Sequence, residues 1–140
     1  QFRRAGWQDA LERKHIEPAE PLEGDWSANS GYEAGRYLAE HDRSMTAIYA
    51  ANDQMANGAI AALRDSGLRV PEDVSVFGFD GIEMGKYFLP SLTTIVQPQE
   101  EIARKSVEVL LEMMTGGGTG RHITLPAALA RRESVAAPRK

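Results

Sequence analysis

Cysteine is absent from all 140 residues. Disulfide scaffolds, thiolate zinc sites and cysteine nucleophiles are therefore excluded. No stretch approaches the run of about 18 apolar residues that a membrane-spanning helix needs. The opening residues, Gln1 to Trp7, hold neither an initiator Met nor the apolar core of a secretory signal. The chain is expected to begin inside a longer natural sequence. A basic face is also lacking. The net charge is −4, and the arginines and lysines are scattered among acidic residues; only the tail, with Arg131-Arg132 and Arg139-Lys140, is locally basic. This chain is not expected to grip DNA phosphates itself.

Catalytic patterns are equally scarce. His15, His41 and His122 are scattered and lack metal-ligand spacing. The run Gly116-Gly117-Gly118-Thr119-Gly120 is not followed by Lys-Ser or Lys-Thr, so it does not match a phosphate loop, and a flexible turn is expected there. No nucleophile stands beside a base. Neither an enzyme nor a cofactor is expected.

What remains is an ordinary foldable domain, 42% hydrophobic and 26% charged. Periodicity predicts helices and strands in alternation. Arg4 to His15 reads as a helix packed through Trp7 and Leu11. Pro18 and Pro21 break it, and Ala19 to Leu22 reads as a short strand. Asp25 or Ser27 caps a second helix that runs to about Glu40. Ala47 to Ala51 is a short apolar strand. Asn52 or Asp53 caps a third helix, which Gly67 stops. Val74 to Phe79 and Leu92 to Val96 are further buried strands. Pro98 opens a long helix from Gln99 to Thr115, with Ile102, Val107, Leu110 and Leu111 on its apolar side. His122 to Leu125 and Ala128 to Ser134 are weaker strand candidates.

Such alternation implies an α/β fold with a mainly parallel sheet flanked by helices. Ligands bind such sheets outside the carboxyl ends of the strands. Asn52, Asp80 and Gln97 each follow a strand in that way. Asn52 could instead serve only as a helix cap, and Asp80 only as a turn cap.

Three long stretches carry a further signal: Tyr49 to Ala56, Gly67 to Asp80 and Leu92 to Ile95. With Ala5-Gly6-Trp7, Glu23 to Ser27 and Ser30-Gly31-Tyr32, they resemble the LacI/GalR family of bacterial transcription regulators. The likeness runs from Arg3 to about Leu125, then loosely to Ser134. It implies a type I periplasmic-binding-protein-like fold of two α/β subdomains, of which this chain is an incomplete fragment. Residues 1–96 fall in the C-terminal subdomain without its first strand. Residues 97–126 fall on a crossover into the N-terminal subdomain, and 127–140 on a return strand and tail.

The resemblance also implies an activity. The expected role is effector sensing and dimerisation in a cytoplasmic repressor, whose operator DNA is bound by a headpiece outside this chain. Arg3, Trp26, Asn52, Asp80 and Gln97 fall on effector-contacting positions. The residue types suit a sugar or glycoside. Arg offers a planar fork of donors, Asp accepts charge-assisted bonds, and Asn and Gln match a hydroxyl's dual nature. Trp covers a C–H face. Two departures stand out. Gln99 replaces an aromatic of the pocket, and Asn57 replaces an apolar residue at the dimer surface. A homodimer is expected through Ala56, Asn57, Ile60, Met84 and Phe88, because large apolar residues crowd the loop before Pro90. No membrane partner is expected. The alternative role is a periplasmic sugar-binding protein of a transport system.

Overall fold

The computed structural model describes residues 2–116 and 122–139. Among the described residues the helices and strands follow in the order α1 (Phe2–Glu12), α2 (Ala28–His41), β1 (Ala47–Tyr49), α3 (Asp53–Asp65), β2 (Ser75–Asp80), β3 (Thr93–Val96), α4 (Gln99–Met114) and β4 (Ala128–Ala130), with a short 3-10 turn, Glu83–Lys86, between β2 and β3. The strands form one sheet in the order β1-β2-β3-β4. The first two pairings are parallel, and β4 joins β3 antiparallel. Parallel neighbours need a crossover between them, and α3 supplies it between β1 and β2. The register sets Tyr49 opposite Phe77, Gly78 opposite Thr94, and Asp80 opposite Val96. All three parallel strands therefore end at one edge of the sheet.

Helices α2 and α3 cover one face of this sheet. Ser27 caps α2, its side chain accepting from the backbone N–H of Ser30. Asn52 caps α3 by accepting from Met55 N–H. The two helices meet through glycines because their backbones nearly touch. A Cβ on Gly58 would lie 1.9 Å from the Ala28 carbonyl oxygen, and one on Gly31 would lie 2.2 Å from that of Met55. Beneath them, Ala56, Ile60 and Leu63 of α3 pack with Val74, Val76 and Leu92 of the sheet side. Leu63 is fully buried, which stabilises the fold by about 1.5–3 kcal/mol relative to leaving it in water.

The C-terminal tail stitches the far end of the sheet. Ser134 is fully buried between β2 and β3. Its hydroxyl donates to the Val76 carbonyl at 2.7 Å and accepts from Thr93 N–H at 2.8 Å. Its carbonyl accepts from Val76 N–H.

Some expected elements differ. Ala19 to Leu22 and His122 to Leu125 are not strands, and the strand placed at Ala128 to Ser134 is only Ala128–Ala130. A strand needs a partner edge, and the residues after Ala130 instead turn to bond Ser91, Thr93 and Val76. Pro18 and Pro21 each lack the N–H a ladder needs. Helix α1 ends at Glu12, and His15 adopts a left-handed φ of 56°. Gly117 to Gly120 lie outside the described residues.

Helix α4 forms as expected but has no fully buried residue. Ile102, Val107, Leu110 and Leu111 are between 40% and 57% exposed.

Candidate functional site

Five segments converge at the carboxyl edge of the sheet, carrying Arg3, Trp26, Asn52, Asp80 and Gln97. At the centre is Asp80, the last residue of β2. Its backbone is left-handed at φ 116°, and Gly81 follows at φ 75°. A side chain at 81 would sit 2.7 Å from the Val96 Cα, so only glycine allows this turn against β3. A non-glycine residue in such a conformation costs on the order of 1–3 kcal/mol and concentrates at functional sites.

Two side chains from distant parts of the chain meet the Asp80 carboxylate, both on Oδ1. Arg3 of α1 donates at 2.9 Å, and the Gln97 amide, just past β3, donates at 2.7 Å. Arg3 also donates to the Ala51 carbonyl at 2.5 Å. Its guanidinium lies 4.0 Å from the Phe79 ring centre and 5.7 Å from that of Trp26. The arginine is thus fixed by an ion pair, a carbonyl and an aromatic face. The Arg3 and Asp80 side chains remain 30% and 25% exposed, so the pair is open to solvent on one side.

Trp26 stands just before the cap of α2, with a left-handed φ of 72° and its ring more than half exposed. Asn52 is buried beneath it. The Asn52 amide donates to the Trp26 carbonyl at 2.9 Å while its oxygen caps α3. Both ends of that carboxamide therefore serve the protein. The helix cap weighed as the plain role of Asn52 is present, together with a tether that fixes Trp26. Arg3, Asp80 and Gln97 bond directly, and Trp26 borders them.

Sequence reasoning missed three contributors. Phe79 underlies Arg3, and its signal was its place directly before Asp80 in an aromatic strand. Tyr49 reaches the same electrostatic neighbourhood. Burial pushes its phenol above the ordinary value, with Arg3 opposing and Asp80 reinforcing that shift. Asp53, noted only as a possible cap, is fully buried and bonds Thr94 and the Ile82 N–H. Among the described residues, no group of three His, Cys, Asp or Glu side chains gathers as metal ligands would.

The expected dimer residues divide. Ala56 and Ile60 are buried in this chain's own core, and Phe88 packs against that core. Asn57 is half-buried, and Met84 is exposed, as are its neighbours Tyr87 and Leu89.

The family model for a periplasmic binding protein-like domain matches residues 1–135. The chain belongs to this family. As a periplasmic binding protein-like domain, it is 40% identical over 137 residues to the lactose operon repressor of Escherichia coli (strain K12). That match covers 98% of this chain and 38% of the repressor. The HTH-type transcriptional regulator MalR of Clostridium butyricum is 38% identical over 135 residues, covering 95% of this chain and 40% of that protein. Among solved structures, a dimeric lac repressor with an 11-residue C-terminal deletion superposes with a TM-score of 0.92 at 40% identity. It covers 98% of this chain and 50% of its own. The chain therefore spans well under half the length of these curated relatives. The relatives are LacI-type transcriptional regulators, which bears out the resemblance carried by the three motifs and the expected binding-protein-like fold.

Proposed function

We propose that this domain is the C-terminal half of the effector-sensing region of a transcriptional repressor, and that the effector is a small polyhydroxy compound, a sugar or glycoside. The observation that carries this is the meeting of Arg3, Asp80 and Gln97 beside two aromatic faces. Both internal donors use Asp80 Oδ1, so Oδ2 faces a hydroxylic ligand as an acceptor. Arg3 and Gln97 donate to neighbouring hydroxyls, and Trp26 covers the C–H face. The opposite charges of Arg3 and Asp80 favour a neutral ligand.

The names of the relatives support the regulatory role. One is a lactose operon repressor, and a further structural match, with a TM-score of 0.86 at 36% identity, is a CelR–cellobiose complex. In this reading, residues 97–126 pass into a second subdomain that closes the cleft, and residues 127–140 return. The unburied apolar side of α4 and the pairing of β4 on β3 support that division. Operator DNA is bound by a headpiece outside this chain, in the cytoplasm. The effector acts by binding one subdomain arrangement better than another. A homodimer forms through the Met84–Leu89 loop and the Asn57 side of α3. The alternative of a periplasmic transport protein draws only on the family's architecture.

The test is a Trp26 fluorescence titration of the complete natural protein with lactose, cellobiose, galactose, glucose and guanine, repeated on Asp80→Ala. Removing hydrogen bonds to a charged group costs about 1.5–3 kcal/mol, so the expected loss is roughly 10- to 100-fold in affinity. A responding sugar that binds the variant as tightly as the wild type removes Asp80 from the site.

A further inference from the structure

Asp53 is the first residue of α3, and no part of it reaches solvent. A buried carboxylate without partners is expensive, yet this one is fully engaged. One oxygen accepts from the Thr94 hydroxyl at 2.5 Å, and the other from the Ile82 N–H at 2.8 Å. Its position at the helix start also sets the negative group beside the unpaired N–H groups of the first turn. The sheet is shaped to admit it. A Cβ on Gly78 would lie 2.3 Å from the Asp53 Oδ1, and Gly78 is the register partner of Thr94. The missing side chain of one strand and the hydroxyl of the next together form the carboxylate's seat.

The three elements it joins are those that deliver the site. Asn52, its predecessor, caps α3 and holds Trp26. Ile82 is two residues after Asp80, across the left-handed pair Asp80-Gly81. Thr94 is three residues before Gln97 on β3. We propose that Asp53 is a positioning residue, which never meets the effector but sets where Asp80 stands relative to Trp26 and Gln97. This rests on the effector reading given above for Asp80. The left-handed backbone at Asp80 is held from behind by the Ile82–Asp53 bond, and its carboxylate is aimed from the front by Arg3 and Gln97.

The test uses Asp53→Asn, which keeps the shape but exchanges one acceptor for a donor, in the complete natural protein. Val76→Ala, a core change remote from the cleft, serves as a control for lost stability. The probe is whichever of lactose, cellobiose, galactose or glucose binds the wild type, followed through Trp26 fluorescence. The expected result is at least a ten-fold loss of affinity for Asp53→Asn and less than a two-fold loss for Val76→Ala. In an Asp80→Ala background, Asp53→Asn should add less than a further two-fold, because its effect passes through Asp80. Wild-type affinity in Asp53→Asn, or a loss that is additive with Asp80→Ala, overturns the proposal. Amide exchange gives a readout that needs no ligand. The Ile82 N–H should exchange at least ten-fold faster in Asp53→Asn, with the Gly78 N–H unchanged. If no sugar binds the wild type, the sugar reading fails, and unchanged Ile82 exchange would separately refute the positioning role.

Discussion

Helices α3 and α4 have similar amphipathic patterns and opposite fates. On α3, Ala56, Ala59, Ile60, Ala62 and Leu63 are buried against α2 and the sheet. On α4, which carries larger apolar residues, none is buried. The polar side of α4 is well served, since Arg104 and Lys105 both pair with Glu108. Its apolar side meets nothing comparable. Amphipathicity therefore states that a helix has a face to bury. It does not state where the partner is.

The largest expected effect lies at the α2–α3 contact. Gly58→Val forces two backbones apart where even a methyl would lie 1.9 Å from the Ala28 oxygen. Overpacking of this kind typically costs about 1–3 kcal/mol, and contact with backbone places this variant at about 3 kcal/mol or beyond. Urea denaturation should show the loss, and a midpoint equal to wild type would mean the helices are not in close contact.

Next comes the direct comparison of the helices. Leu63→Ala in α3 should destabilise the 140-residue chain by about 2–5 kcal/mol. Leu110→Ala in α4, more than half exposed, should change it by no more than about 0.5 kcal/mol. In the complete protein, Leu110→Ala should become costly, because the second subdomain then covers it. Equal effects of Leu110→Ala in the two settings would break the proposed crossover.

A smaller effect is expected at the tail. Ser134→Ala leaves Thr93 N–H and the Val76 carbonyl without the buried hydroxyl that serves both. The loss should be about 1–3 kcal/mol, measured by thermal unfolding. Ser134→Cys should recover little, since a thiol is a weak donor and acceptor.

The smallest effect is electrostatic and belongs to the exposed rim of the packed half. The Arg69 guanidinium and backbone N–H hold the Asp73 carboxyl down to about 2, from an ordinary 3.8. The folded value is the lower one, so this carboxylate's contribution is complete above 3.8 and is lost as pH falls towards 2. Asp73→Asn should therefore flatten the acid-denaturation curve in that window and leave its shape between pH 6 and 8 unchanged. Identical acid limbs for the variant and wild type would show that the Arg69–Asp73 pair is not held in solution.

Much of this is legible in the sequence itself. The capping side chains Ser27 and Asn52, the apolar runs of β2 and β3, and the start of α4 behind Pro98 are local events, set by a few neighbouring residues. Asp80 and Gln97 could be placed at one edge because parallel strands share a direction. The false strand at Ala19–Leu22 arose from composition alone. Nothing local reveals whether a partner edge is near.

Other features depend on distances across the chain. Arg3 and Asp80 stand 77 positions apart, and Asp53 and Thr94 stand 41 apart, separations that carry no periodic signal. Asn52 could be identified as a cap, but its tether to Trp26 spans 26 residues. The amino-acid order by itself determined which segments are helix or strand and which faces are apolar, because backbone sterics and side-chain periodicity act within a few residues. Only the tertiary structure decided that Gly78 makes room for Asp53, that Arg3 stacks on Phe79, and that α3 is covered while α4 is not. Those outcomes depend on close packing, in which tenths of an ångström separate contact from clash and the partners are distant in sequence.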